Sequence, residues 1–309
     1  MAYSRGHHYN TAMTETTAHD VKKVLSPKNL AKVERGEDLY TFERATQFIQ
    51  FKNRIDQNIA NHPILTNNTY TTWFRKGEIN EAQMKDFLIQ FSVFSNLFLL
   101  AQLKKVINAD SIESMRASKE ILANELGVIF NRGQKVTNQD VQSAEELVSA
   151  QGSIEGGTFR FKAAHFEWFY EIAQDFGLSW NDIGKRKHGS RSTLFFCDEL
   201  SRLYGSENYE TSQAASFAVE NWAAAGFWKD LIEGLKIFKE KNKKNFSVAY
   251  FIHHNQIEQQ HADHTQEELE EYYFEHPTLD EDHYIKCSQE MLAGIEAFWK
   301  GLDEQRISL

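Results

Sequence analysis

Proline is almost missing from this chain: Pro27, Pro63 and Pro277 are the only three in 309 residues, beside 16 glycines. A fold of many short strands needs turns, and turns draw heavily on those two residues. Their scarcity, with abundant Glu, Lys, Ala, Leu and Gln, argues against a β-rich design and points to an all-α fold. Cysteine is scarcer still. Cys197 and Cys287 sit in helical patterns without paired spacing, which reads as two free thiols in a reducing compartment. Basic residues are outnumbered, 34 against 44 acidic, for a formal charge of −10. That balance lacks the basic face of a general nucleic-acid binder. No apolar run approaches the roughly 20 residues of a membrane span. The N-terminus, with Arg5, His7 and His8, lacks an apolar signal region. The expectation is a soluble cytoplasmic protein with neither nucleic acid nor a membrane as partner.

What is present is helical periodicity. Residues 1–38 are polar without a strong apolar period and read as an N-terminal tail, with at most a short helix near Asp20 to Leu25. From residue 39 to 309 the pattern is one helical domain without internal repeat or linker. Helices are expected over Leu39–Ile59, over Glu81–Ile107 behind an Asn80 cap, and from Ser111 to Leu126 with a stop at Gly127. Residues 128–158 break the pattern and read as an insertion, with a short helix over Val141–Ala150. Helices resume over Phe159–Phe176, from Asn181, over 211–240, over Phe246–Phe274 and from Asp280 to Leu302.

The chemistry-bearing pattern is His254, Glu258 and His261, spaced by four and then three residues. Steps of four and seven return to nearly the same helical azimuth, so one face carries two imidazoles and a carboxylate. Tyr250 and Ile257 lie on or beside that face, which makes it inward. Such a donor set suits Fe, Mn or Zn. An exposed polar stripe is the competing reading, since Gln259, Gln260, His253 and His264 share the helix; His253 and His264 are expected to point elsewhere, to the surface.

A metal also needs ligands from other helices. Glu220 stands in an apolar stripe with Phe217, Ala224 and Phe227, where an unpaired carboxylate would not stay ionised. His165 shares or borders the face of Phe161, Trp168, Phe169 and Ile172, and Glu125 lies among Ile121, Leu122 and Val128. Taken singly, His165 can be a satisfied core residue and Glu125 a solvated acid at a helix end.

In order, Glu125, His165, Glu220 and His254-x3-Glu258-x2-His261 resemble the haem-oxygenase-like diiron oxidase superfamily. The Asn-Glu-Leu-Gly at 124–127 is similar to that family's second-Glu signature, and the resemblance covers about residues 40–302. It implies a haem-oxygenase-like helical bundle whose metal ligands are Glu125, His165, Glu220, His254, Glu258 and His261. It further implies one or two Fe(II) per chain, O2 as co-substrate and a small-molecule substrate, amino-acid-like or a carboxylic acid. A homodimer is expected by analogy of fold alone. Three features depart from the family pattern. Glu258 replaces the usual Asp. The insertion at 128–158 lengthens the path between Glu125 and His165. The helix that should bring the first Glu has no acid between Asp86 and Asp110, only Gln90, Ser92, Ser95, Asn96 and Gln102 as non-basic polar residues. The competing class is a metal-free or degenerate relative serving as a binding module.

Overall fold

The computed structural model describes residues 18–130, 154–156, 159–161 and 164–309, and at 18, 113, 124, 128–130, 154–156, 159–161 and 257–265 it describes the backbone only. The described chain is helical nearly throughout. It opens with α1 (Ala18–Val24), α2 (Pro27–Arg35) and α3 (Phe42–Ile55), the last continued by a π turn over Asp56–Ala60. Then come α4 (Pro63–Thr66), α5 (Thr69–Phe74), α6 (Glu81–Ile107) and α7 (Ile112–Glu125). After the insertion follow α8 (His165–Asp175), α9 (Arg191–Glu199) with a π turn to Tyr204, α10 (Tyr209–Ala224) and α11 (Phe227–Lys241). The chain closes with α12 (Ala249–Glu275) and α13 (Glu281–Ser308).

The insertion supplies the strands seen among the described residues. Strands β1 (Val128–Phe130), β2 (Ile154–Gly156) and β3 (Phe159–Phe161) form an antiparallel ribbon in the order β1-β3-β2. Val128 faces Phe161 and Phe130 faces Phe159 across the first pair. The helix expected from Phe159 therefore begins only at His165: Phe-Arg-Phe alternates with the period of a strand, and it pairs as one. The helix expected over Val141–Ala150 lies outside the described residues.

The described residues fall into two compact units. One takes the chain up to Arg54 together with Gln266–Pro277. Within it, residues read from sequence as tail carry α1 and α2. Ser26 caps α2, accepting from the Asn29 amide, Pro27 opens the helix, and Gly36 closes it at φ 64°. Val21, Leu25 and Tyr40 are buried, and Tyr40 stacks on Phe274 at 4.5 Å. Beneath the start of α2 sits Glu270, fully buried. It accepts from the Ser26 amide at 3.0 Å, from Asn29 Nδ2 at 2.9 Å and from Gln266 Nε2 at 3.0 Å. A carboxylate at a helix N-terminus also meets the favourable end of the helix dipole.

The second unit takes Ile55–Thr265 and Thr278–Leu309. Its central element is α6, opened by a reciprocal cap: Gln83 N donates to Asn80 Oδ1 and Asn80 N to Gln83 Oε1, each at 2.9 Å. Phe91, midway along α6, is fully buried and organises its neighbours. It stacks on Phe169 of α8 at 5.8 Å and meets Trp228 of α11 and Phe251 of α12, each at 5.9 Å. Phe298 of α13 stands at 6.3 Å. One ring thus fixes four helices against α6. Contrary to the expectation from apolar runs, α6 is long and apolar enough to cross a membrane by length and composition. Half of that window is buried inside the protein, as suits a core helix. The single helix expected over 211–240 is broken at Gly226, whose φ of 90° reverses the path between α10 and α11.

Glu270→Ala leaves three donors without their acceptor, that of Asn29 fully buried. We expect this to cost about 3 kcal/mol locally, seen as loss of hydrogen-exchange protection in α1 and α2 before the second unit opens; unchanged protection there would refute the capping role.

Candidate metal centre

Three helix positions bring the centre together. Glu125 is the last residue of α7, ended by Gly127 at φ 70° as the sequence predicts. A carboxylate there faces the negative end of the helix dipole and needs positive or hydrogen-bonding partners to remain ionised. His165 is the first residue of α8, a helix whose start is held by a bond from the Ala164 amide to Glu167 Oε1 at 2.9 Å. His254 lies in the second turn of α12, with its Nδ1 2.7 Å from the Tyr250 carbonyl oxygen.

One ligand atom from each of Glu125, His165 and His254 lies within 4.8 Å of the others. Glu125 Oε2 is 3.1 Å from His165 Nδ1. The two imidazoles stand nearly perpendicular with centroids 5.0 Å apart, and both residues are buried, at 4% and 8% exposure. Trp228 stacks on His254 at 5.0 Å and Trp168 packs on His165 at 5.1 Å.

The electrostatics favour a cation. A carbonyl can only accept, so His254 carries its proton on Nδ1, and its Nε2 keeps a lone pair. Burial lowers the His254 pKa to about 4, against the opposing pull of Glu125, so the ring is neutral at pH 7. For Glu125, burial pushes the pKa up, but the hydrogen bond and charge of His165, with His254 and His253 beyond, outweigh it and lower the pKa. Burial raises the pKa of Tyr250, partly offset by its bond to Ser95 at 2.9 Å, so the phenol is neutral. A charged carboxylate with two imidazoles, that of His254 neutral, in an aromatic surround is the donor chemistry of Fe(II), Mn(II) or Zn(II) sites.

The other expected ligands divide. Glu220, half-buried on α10, lines a cavity of about 390 Å³ together with Glu125 and His254, but does not join the three converging atoms. Glu258 and His261 follow His254 on α12, but their side chains lie outside the described residues, as does that of His264. The expectation for His253 is corrected. It does not point away to the surface: its Nε2 is 3.1 Å from His165 Nε2, with ring centroids 4.7 Å apart. With Nε2 of His165 engaged by His253, Nδ1 is the atom that faces Glu125. Neighbouring positions on a helix differ by about 100°, and the one-face reading discarded His253 for that reason. The signal missed was that α8 flanks α12 closely enough to touch both directions.

From α6, the helix without the expected acid, Ser95 and Gln102 line the cavity. Its other polar residues are committed to structure. Gln90 holds His188 and Ser190, Ser92 accepts from the Gly184 amide, and Asn96 donates to the Gly184 carbonyl. Phe94, Phe98 and Trp222 add apolar wall, and Glu120 of α7 is a further acidic lining residue absent from the sequence reading.

Outer-shell partners of a ligating histidine typically account for 10–100-fold in metal affinity. His253→Leu should therefore weaken divalent-cation binding by about that factor while His253→Gln, which keeps a polar nitrogen at the same reach, recovers most of it; calorimetric titration with Zn(II) reads both. A second expectation follows from the sign of the His254 shift. The folded protein resists protonation there while the unfolded chain accepts a proton below about pH 6.5. Stability of the metal-free protein is complete above that pH and falls toward pH 4, and His254→Phe should flatten the melting temperature over that window.

Neither a family model nor a curated protein sequence matches this chain.

Proposed function

We propose that this chain is a non-haem iron-dependent, O2-activating oxidase or oxygenase of the haem-oxygenase-like kind, acting on a small amino-acid-like or carboxylic-acid metabolite. The observation that carries the reading is the convergence of Glu125, His165 and His254 within 4.8 Å at the wall of a cavity. Two histidines and a carboxylate with open positions are the ligand arrangement of mononuclear iron oxygenases. Glu125, His165 and His254 would hold one Fe(II). Glu220, on the same cavity, with Glu258 and His261 further along α12, are the candidates for completing it or holding a second.

Bound Fe(II) would supply the electrons for O2 activation, chemistry that no side chain here provides. The residues contribute the rest. The Tyr250 carbonyl holds the His254 proton on Nδ1 and so presents Nε2. His253 orients His165. Trp228, Phe94 and Phe98 keep the wall apolar, which limits water and strengthens each electrostatic contact inside.

A second reading has one observation in its favour. The 3.1 Å bond between Glu125 and His165 satisfies both groups without a cation, as a metal-free binding module would require. Metal analysis after anaerobic Fe(II) loading separates the two, followed by O2-consumption measurements. The oxidase reading expects about one to two irons per chain and O2 uptake, with iron lost in His254→Ala and in Glu125→Ala. Full iron occupancy in His254→Ala would overturn it, and absence of iron in the wild-type chain would leave the binding module.

A further inference from the structure

The helices α6 and α7 wall the cavity on one side and meet solvent on another. Phe94 and Phe98 of α6 and Ile121 of α7 line the cavity. Leu100, Leu103 and Ile107 of α6, with Ile112 and Met115 of α7, are instead between 37% and 70% exposed. The first three are spaced by three and four residues, so they share one face of α6. Ile112 and Met115 are likewise paired on α7, and the turn at 108–111 joins the two stripes. Only half of the apolar window of α6 is buried. α7 packs on α6 and on β1, and among its described side chains only Ser118 is buried. The five exposed side chains leave roughly 450 Å² of apolar surface in water. That is close to the apolar share of the about 800 Å² that one partner gives to a standard interface. Charge favours a second copy as the occupant. The chain carries a formal charge of −10, so copies repel one another, yet α6 has no acid from Phe87 to Ile107. Lys104 and Lys105 are bonded to Ser201 and Ser216, which draws their charges towards neighbouring helices. Asp110, Arg116 and Lys119 are exposed beside the apolar stripes and supply a polar rim of both signs. An apolar face is its own complement, so a copy can meet it about a two-fold axis without opposing charges at the centre.

We propose that two copies of this chain pair face to face through α6 and α7, with Leu103 and Ile107 at the centre of the contact. Pairing takes the two apolar stripes out of water and backs the cavity wall with a second layer of helix. The homodimer expected from analogy of fold thereby acquires a specific surface, and the pairing does not depend on the iron reading.

Sedimentation velocity of the full-length, metal-free chain tests this. A species of twice 35.8 kDa should dominate at about 10 μM. Leu103→Glu combined with Ile107→Glu sets like charges across the axis and should weaken self-association by at least about a hundredfold, with the melting temperature retained. Ile307→Glu, also exposed but at the end of α13, should leave the dimer intact. Should the double variant fail to fold, hydrogen exchange on the wild-type chain decides: protection over residues 100–115 should rise with chain concentration. A monomer at about 100 μM, a dimer that withstands both glutamates, or protection over 100–115 independent of concentration would overturn the pairing. A monomer that floats with uncharged phosphatidylcholine vesicles would overturn it too, and would give the face to lipid. Iron loading reads a different property of the chain, so each proposal can fail while the other stands.

Discussion

Everything around the centre follows from keeping one carboxylate ionised where the fold disfavours it. Glu125 ends α7, at the negative pole of that helix, and stands against aromatic walls. Left alone it would take up a proton. Its pKa is lowered instead, because His165 bonds it from the start of α8 and His254 approaches from α12. Those helices can bring imidazoles there because Phe91 of α6 packs against Phe169, one turn beyond His165, and against Phe251, one turn before His254. The aromatic core therefore does two opposing things. It makes charge expensive at the centre, and it fixes in place the partners that stabilise that charge.

The sequence reveals most where the determinants are local. The Asn80 cap and its Gln83 partner mark the start of α6, Ser111 and Gly127 bracket α7, and Asp280 opens α13. All of these are written within a few residues of the helix end they set. What escapes is set by distant partners. The segment around α1 and α2 is polar on average, which masks the apolar face of α2, and its anchor, Glu270, lies 241 residues beyond Asn29 in the chain. The strand Phe159–Phe161 is too short for its alternation to outweigh the helical pattern after it, and its pairing with Val128–Phe130 crosses the insertion. Gly226 is a local break that the apolar run on both sides of it obscures, and the Ser190 cap moves the helix expected from Asn181 to Arg191.

The same division holds within the site. His165, His254 and Glu125 were legible because each sits in an apolar pattern where a polar residue needs a reason. His253 was not, since a face-by-face reading gives each helix one inward direction, while α12 touches α8 through His253 and Trp228 of α11 through His254. Adjacent residues on a helix can thus serve one centre from two sides.

The absence of an acid on α6 beyond Asp86 sets the character of the candidate site. Of the polar residues there, Ser95 is engaged with Tyr250, which in turn carries the carbonyl that fixes His254. Gln102 also lines the cavity, and its amide oxygen is buried without a hydrogen-bond partner. An amide oxygen is a weaker ligand for a divalent cation than a carboxylate, but it is a good acceptor for an N–H donor and adds no charge. A carboxylate at the same position would add a buried charge that needs a partner. The converging side chains therefore come from α7, α8 and α12, while α6 contributes Ser95 and Gln102 to the cavity wall.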